Sequence, residues 1–248
     1  MSEVGWAALT ALAHLAVVGA ILAPLIWWQG RRSGHPVLAP GGARTLATVA
    51  GIYLAMNCVL TLPRVGFFAD LSWNWQNKLL LVALTALAIT LWPSLTWRAV
   101  GARRPRRGWW MPVVGAFAVM LGLNMLGGPQ ITTDAETFLF QALVPGLDEE
   151  LLYRGVLLLL LHRALAARRT MWRGTAGWEV PITCLLFGLA HGLYLSTGWA
   201  IALDVPSILV SGLLGLVLVW VRIRWDSLWP AVLTHNAINV AAVLANTI

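Results

Sequence analysis

Charge is what this sequence has least of. Asp, Glu, Lys and Arg make up 11% of its 248 residues, against about a quarter in a soluble domain. That shortage, beside a hydrophobic content of 59%, excludes a water-soluble globule and points to a chain whose solvent is lipid. Cysteine is scarce as well. Cys58 and Cys184 each lie inside an apolar run with no CxxC or paired spacing, so neither a disulfide framework nor a thiolate metal site is indicated. Acidic residues number 10 against 17 basic ones, a formal net charge of +7. The basic surplus forms no continuous stripe, only clusters between apolar runs, which suits the inner face of a membrane and argues against nucleic acid as a partner. The first apolar run lacks the basic head and short core of a secretory leader, and we read it as a retained helix.

Long apolar runs are what the chain has in quantity. They predict an all-α, polytopic membrane helix bundle of about eight transmembrane helices, since each run is close to the ~20 residues that a ~30 Å hydrocarbon core requires. The predicted spans are Val4 to Trp28, Ala43 to Leu62, Lys78 to Trp97, Trp109 to Gly127, Glu136 to Arg163, Trp178 to Leu195, Ile201 to Val221 and Ser227 to Ala245. Proline and glycine cluster between them, as in HPVLAPGG, GARRPRRG and LGGPQ, and mark turns. No internal repeat is present. We divide the chain into an N-terminal four-helix region (1–135) and a core (136–248) within one integrated membrane domain.

Loop charges predict an orientation. Fourteen basic residues fall after the first, third, fifth and seventh spans, from Arg31 to Arg224, and the other side has Arg64 and Lys78. By the positive-inside rule the Arg-bearing loops are cytoplasmic and both termini lie outside. A prokaryotic plasma membrane is expected. Trp residues at span ends, among them Trp27, Trp28, Trp97 and Trp178, read as interfacial anchors, and so does the LSWNWQN stretch between the second and third spans.

Against this apolar background GLDEELLYRG, 146–155, stands out. Ionisable groups at the bilayer centre cost roughly 2.5–3.5 kcal/mol each on insertion scales, so Asp148, Glu149, Glu150 and Arg154 demand an internal, partnered environment. Glu150 and Arg154 are four apart, acid before base, the favourable order for a helical ion pair. Glu149 points elsewhere, about 100° round the helix. Held in low dielectric without a cation of its own, it is a candidate general base. Pro145 predicts a kink that frees backbone groups toward a cavity.

Two other spans carry polar pairs at helical spacing: Phe187 and His191 in FGLAH, and His235 and Asn239 in HNAIN. Gly188 and Gly192 flank the first pair with room for a close helix contact. Counting ~1.5 Å per residue from the span ends brings Glu149, His191, His235 and Asn239 to similar depth, so a shared site is expected. His14 is read as packing, and His162 as a complement to a helix dipole.

EELLYR (Glu149 to Arg154), FGLAH and HNAIN resemble, in order and in span position, the EExxxR, FxxxH and HxxxN motifs of the CAAX protease and bacteriocin-processing (CPBP, or Abi) family. The resemblance covers about Gln141 to Val240. It implies intramembrane endopeptidase activity of the glutamic type on a membrane-associated protein or peptide substrate. Glu149 and His191 would activate water, His235 and Asn239 would bind the oxyanion, and Glu150 and Arg154, with Phe187, would support them. No cofactor is implied. Two other readings stand beside it: a zinc protease with Glu149, His191 and His235 as ligands, and a non-catalytic membrane scaffold or bacteriocin-immunity protein. Oligomeric state is not legible.

Overall fold

The computed structural model describes residues 2–34, 36–127, 133–166, 168–171 and 174–247. Arg173 and most of the LGGPQ turn, both used above, lie outside the described residues. The helices are α1 Glu3–Ser33, α2 Gly42–Leu60, α3 Trp75–Leu91, the single turn α4 Trp97–Val100, α5 Trp110–Met125, α6 Ala135–Glu150, α7 Leu158–Ala164, α8 Glu179–Leu189, α9 Val205–Arg224 and α10 Trp229–Ala245. A π-helical segment, Leu151–Leu157, joins α6 to α7 without a break. Two antiparallel hairpins complete the chain, β1 Arg168–Met171 with β2 Gly174–Gly177 and β3 Leu193–Ser196 with β4 Ala200–Leu203.

This is an integral membrane helix bundle. Among the described residues three helices, α1, α2 and α9, are both long and apolar enough to cross a bilayer on length and composition, and α3, α5 and α8 are apolar but shorter. The predicted spans locate these helices to within a few residues at most ends. Two ends fall six residues short: the third, expected at Trp97, where α3 stops at Leu91, and the sixth, expected to run to Leu195. Helix α8 stops at Leu189, and 193–196 turn into strand β3. Leu193, Tyr194 and Leu195 are as apolar as any helix residue, and hydropathy does not separate a strand from a helix over so short a run. The seventh helix likewise begins at Val205 and not at Ile201. Asp204 sets that start: its Oδ1 accepts the Ser207 amide at 3.0 Å and its Oδ2 the Ser207 hydroxyl at 2.6 Å, the N-cap arrangement.

The chain forms two compact units, each assembled from separated segments: 1–62 with 156–220, and 63–155 with 221–248. In the first, α1 packs on α2 and α8, and α2 on α7. The Gly188 and Gly192 expectation is met here. A Cβ at Gly188 would stand 2.5 Å from the Ile208 carbonyl oxygen, and one at Gly192 2.4 Å from that of Asp204. His14 does more than pack. One ring nitrogen, Nδ1, lies 2.8 Å from the Tyr53 hydroxyl and the other 2.8 Å from the Leu193 carbonyl. His162 meets the buried Glu179 carboxylate at 2.8 Å.

In the second unit α10 packs on α5 and α6, and α3 on α6. Trp73 stacks on Phe140 with ring centroids 5.0 Å apart, and Glu136 accepts the Trp73 amide at 3.0 Å and the Trp75 indole N–H at 3.2 Å. The LSWNWQN tryptophans therefore brace α6.

In the first unit the segment after α1 bridges to the segment after α7, Ala166 donating to the Val37 carbonyl at 3.0 Å. In the second, Arg103 after α3 pairs with Asp226 after α9. Each contact joins two of the Arg-bearing loops.

Candidate active site

The second unit gathers the ionisable residues of three helices. From α6 and the π segment come Asp148, Glu149, Glu150 and Arg154, from α10 comes His235, and from the first turn of α3 comes Lys78. Gly146 holds α6 and α10 together. Pro145, just before it, has no N–H, and the Gly146 amide donates to Asn236 Oδ1 at 2.8 Å. A Cβ on Gly146 would lie 2.5 Å from both that oxygen and the Val232 carbonyl, so the approach requires glycine. Downstream, the wider winding of the π segment begins at Leu151, next to the acidic run. Such segments inside α-helices occur often at functional sites.

Glu150 and Arg154 form the predicted pair, NH1 to Oε1 at 2.8 Å. The same oxygen also takes His235 Nδ1 at 2.9 Å. A carboxylate oxygen only accepts, so Nδ1 carries a proton. That commitment fixes the other nitrogen: Nε2 donates only when the ring is doubly protonated, and otherwise accepts. It lies 3.9 Å from Glu149 Oε2, a separation suited to a bridging water or a substrate atom.

Glu149 is not without a cation. Lys78 Nζ donates to Glu149 Oε1 at 2.7 Å and to Asp148 Oδ2 at 2.8 Å. The premise that this acid lacks a nearby positive charge is therefore corrected. Lys78 is 71 residues away in sequence, and it reads there as an end-of-span loop charge.

Exposure sorts these groups by access. The side chains of Glu150, Arg154 and Asp148 are 0%, 1% and 1% exposed, whereas those of His235, Lys78 and Glu149 are 10%, 16% and 17% exposed. The first three are sealed supports, and the second three are partly exposed, although the Glu149 Oε2 atom itself is buried. Asp148 Oδ1 and Glu150 Oε2 are buried without a protein hydrogen-bond partner among the described residues, a pattern that internal water commonly completes.

Asn239 sits one turn beyond His235 on α10, half-buried. Asn236, which the sequence reading passed over, is the residue that fastens α10 to Gly146; its signal was its place directly after His235. Phe187 and His191 belong to the first unit. His191 follows the end of α8, with its ring 4.5 Å from that of Phe187 and its Nδ1 2.7 Å from the Phe187 carbonyl. Nδ1 is thus the protonated nitrogen, and in the neutral ring Nε2 is the basic one. Among the described residues no three His, Cys, Asp or Glu side chains are grouped as for a metal ion.

Comparison with known families matches residues 131–241 to the one described as Rce1-like, type II CAAX prenyl endopeptidase. The match takes in Glu149, Glu150, Arg154, Phe187, His191, His235 and Asn239 and leaves out Lys78. No curated protein and no solved structure matches the chain.

Proposed function

We propose, from the match of residues 131–241 to the family described as Rce1-like, type II CAAX prenyl endopeptidase, that the chain is an intramembrane endopeptidase of the glutamic type. Its substrate is a membrane-associated protein or peptide, cut near its C-terminus for processing or sorting. Glu149 takes a proton from water, and the oxygen adds to the scissile carbonyl carbon. His191, basic at Nε2, shares in orienting that water. The oxyanion that forms accepts hydrogen bonds from the Asn239 carboxamide and from His235 Nε2–H. As the intermediate collapses the C–N bond breaks, and the proton held by Glu149 passes to the departing amine. No metal or other cofactor takes part.

The observation that carries this reading is the 3.9 Å gap between Glu149 Oε2 and His235 Nε2, an acid facing an imidazole between the less deeply buried side chains of an otherwise sealed cluster. General bases contribute about 10²–10⁴-fold, and each oxyanion donor about 10²–10³-fold. Electrostatic help of that size needs a site poor in bulk water, which the surrounding apolar helices supply. We also infer a prokaryotic plasma membrane, Arg-bearing loops in the cytoplasm and both termini outside; the contacts between the Arg-bearing loops support that topology.

Glu149→Gln tests the reading. The variant keeps the shape of the side chain and loses the base. Reconstituted into liposomes with membrane-anchored peptides of free C-terminus, it is expected to fold and to cleave at least about 10³-fold more slowly than wild type. Cleavage within tenfold of wild type overturns the assignment. His235→Ala and Asn239→Ala separate the enzyme from a scaffold: a protein acting only as a scaffold keeps its cellular phenotype in both.

A further inference from the structure

Lys78 is the only lysine in a chain with sixteen arginines, and it lies outside the segment that matches the family. Its position is unfavourable in isolation. In the first turn of α3 a cation opposes the positive end of the helix dipole, so helix formation alone does not account for it. What it meets there does. Two of its three N–H donors are engaged, one by Asp148 Oδ2 at 2.8 Å and one by Glu149 Oε1 at 2.7 Å. The Asp148 side chain is sealed at 1% exposure and Glu149 is partly exposed at 17%, so the three groups form a chain from the packed interior toward the less buried glutamate. Lysine suits the middle place, because a compact ammonium can divide its donors between two separate carboxylates, whereas the planar guanidinium favours one carboxylate held in two-fold fashion.

Resting on the assignment of Glu149 as base, we propose that Lys78 is a positioning residue of the hydrolytic reaction: buttressed by Asp148, it grips Glu149 Oε1 and so holds Oε2 toward His235 and the reacting water. Lys78 acts through Glu149 and takes no bond of the substrate. Without it the glutamate swings among rotamers, and a loss of alignment of about 1 Å costs on the order of 100-fold in rate. Substrate binding is not its task, since the Lys78, Asp148 and Glu149 group is already one negative charge in excess and repels a substrate carboxylate.

The test uses the full chain in liposomes with two pools of internally quenched, lipid-anchored peptides randomised over their last three residues, one pool prenylated at cysteine and one not. Lys78→Met is expected to lower kcat about 100-fold with KM within about threefold of wild type. Lys78→Arg recovers part of kcat, and added ethylammonium does the same for Lys78→Ala, which a defect of folding would not allow. Should Lys78→Met fail to fold, the Lys78→Met/Asp148→Asn double variant removes one charge of each sign and is read instead. Folded and slow, it supports the proposal; folded and fast, it reduces Lys78 to a neutraliser of Asp148 and overturns the proposal. A single variant with kcat within about threefold of wild type, beside an inactive Glu149→Gln, overturns the Lys78 role and leaves the proposed function standing. Active Glu149→Gln, or a wild type that cleaves neither pool, overturns the proposed function and this inference with it.

Discussion

The sealed ion pair Glu150–Arg154 gives a stability prediction whose size follows from its surroundings. Carboxylate and guanidinium are 2.8 Å apart, with side chains 0% and 1% exposed. Removing either charge leaves the other in a medium that solvates it poorly, at a cost of about 3–5 kcal/mol. The two deletions are not equivalent. After Arg154→Met, Glu150 keeps a donor in His235 Nδ1, 2.9 Å away, so the cost belongs at the lower end, about 3 kcal/mol. After Glu150→Gln, both Arg154 and His235 lose the Glu150 carboxylate, and the cost belongs at the upper end, about 5 kcal/mol. The double variant strands neither charge of the pair, so it should be milder than the sum by about 2–3 kcal/mol. Thermal unfolding of the four proteins in one detergent is the assay, with single-variant midpoints lower by about 6–20 °C. Single variants that each lose less than about 1 kcal/mol, or a double variant that is strictly additive, would refute the reasoning.

Four further outcomes are expected. Gly146→Ala forces a methyl group into Asn236 Oδ1 and the Val232 carbonyl, and should cost about 1–3 kcal/mol while lowering activity as α10 moves; a variant with wild-type stability and turnover contradicts the close approach. Tyr53→Phe leaves His14 Nδ1 buried without its 2.8 Å partner and should cost about 1–3 kcal/mol in the same unfolding assay, no change counting against the bond. Asp204 is held below the ordinary carboxylate range by the Ser207 hydroxyl and amide. Its advantage over Asp204→Ala should therefore be full above the unfolded value of about 3.9 and fade as pH falls through the lower folded value. An advantage that grows on acidification has the wrong sign. Finally, chelator-treated protein with no bound metal by elemental analysis is expected to keep its proteolysis, and recovery only on adding about one zinc per chain would restore the metal reading.

The membrane class and the approximate helix positions were legible because both rest on local sums: apolar run length and turn chemistry. The pairing of Glu150 with Arg154 was legible for the same reason, since four residues on a helix determine a neighbour. Where the partner is remote, sequence spacing carries no such information. Lys78 reads as an interfacial charge at the start of a span, and only the packing of α3 on α6 brings it to Glu149. His235 and Asn239 were noticed as a pair four apart, yet Asn236 between them fastens the helix, because its partner is a backbone amide that no pattern of side chains advertises. The π segment and the hairpins escaped detection on similar grounds. Leu151–Leu157 has no composition that separates a π turn from an α turn, and 193–196 are strand only because 200–203 pair with them.

The charges in the second unit constrain one another further. Asp148, Glu149 and Glu150 stand against two permanent cations, Lys78 and Arg154, which leaves one negative charge over. Each cation has its own carboxylate contacts, Lys78 with Asp148 and Glu149 and Arg154 with Glu150. The ring that lies between the two sets is His235, 2.9 Å from Glu150 and 3.9 Å from Glu149. Its Nδ1 donates to Glu150, and its Nε2 faces the space beside Glu149. Glu150, which reads from the motif as a brace for its own helix, then has a second task, because its Oε1 accepts the His235 Nδ1 proton and orients that ring. In the proposed mechanism, loss of Glu150 thus removes a structural anion and the group that orients the His235 ring together, whereas loss of Arg154 removes only the brace and leaves the Glu150–His235 contact in place. The two variants should for that reason differ in turnover by more than they differ in stability.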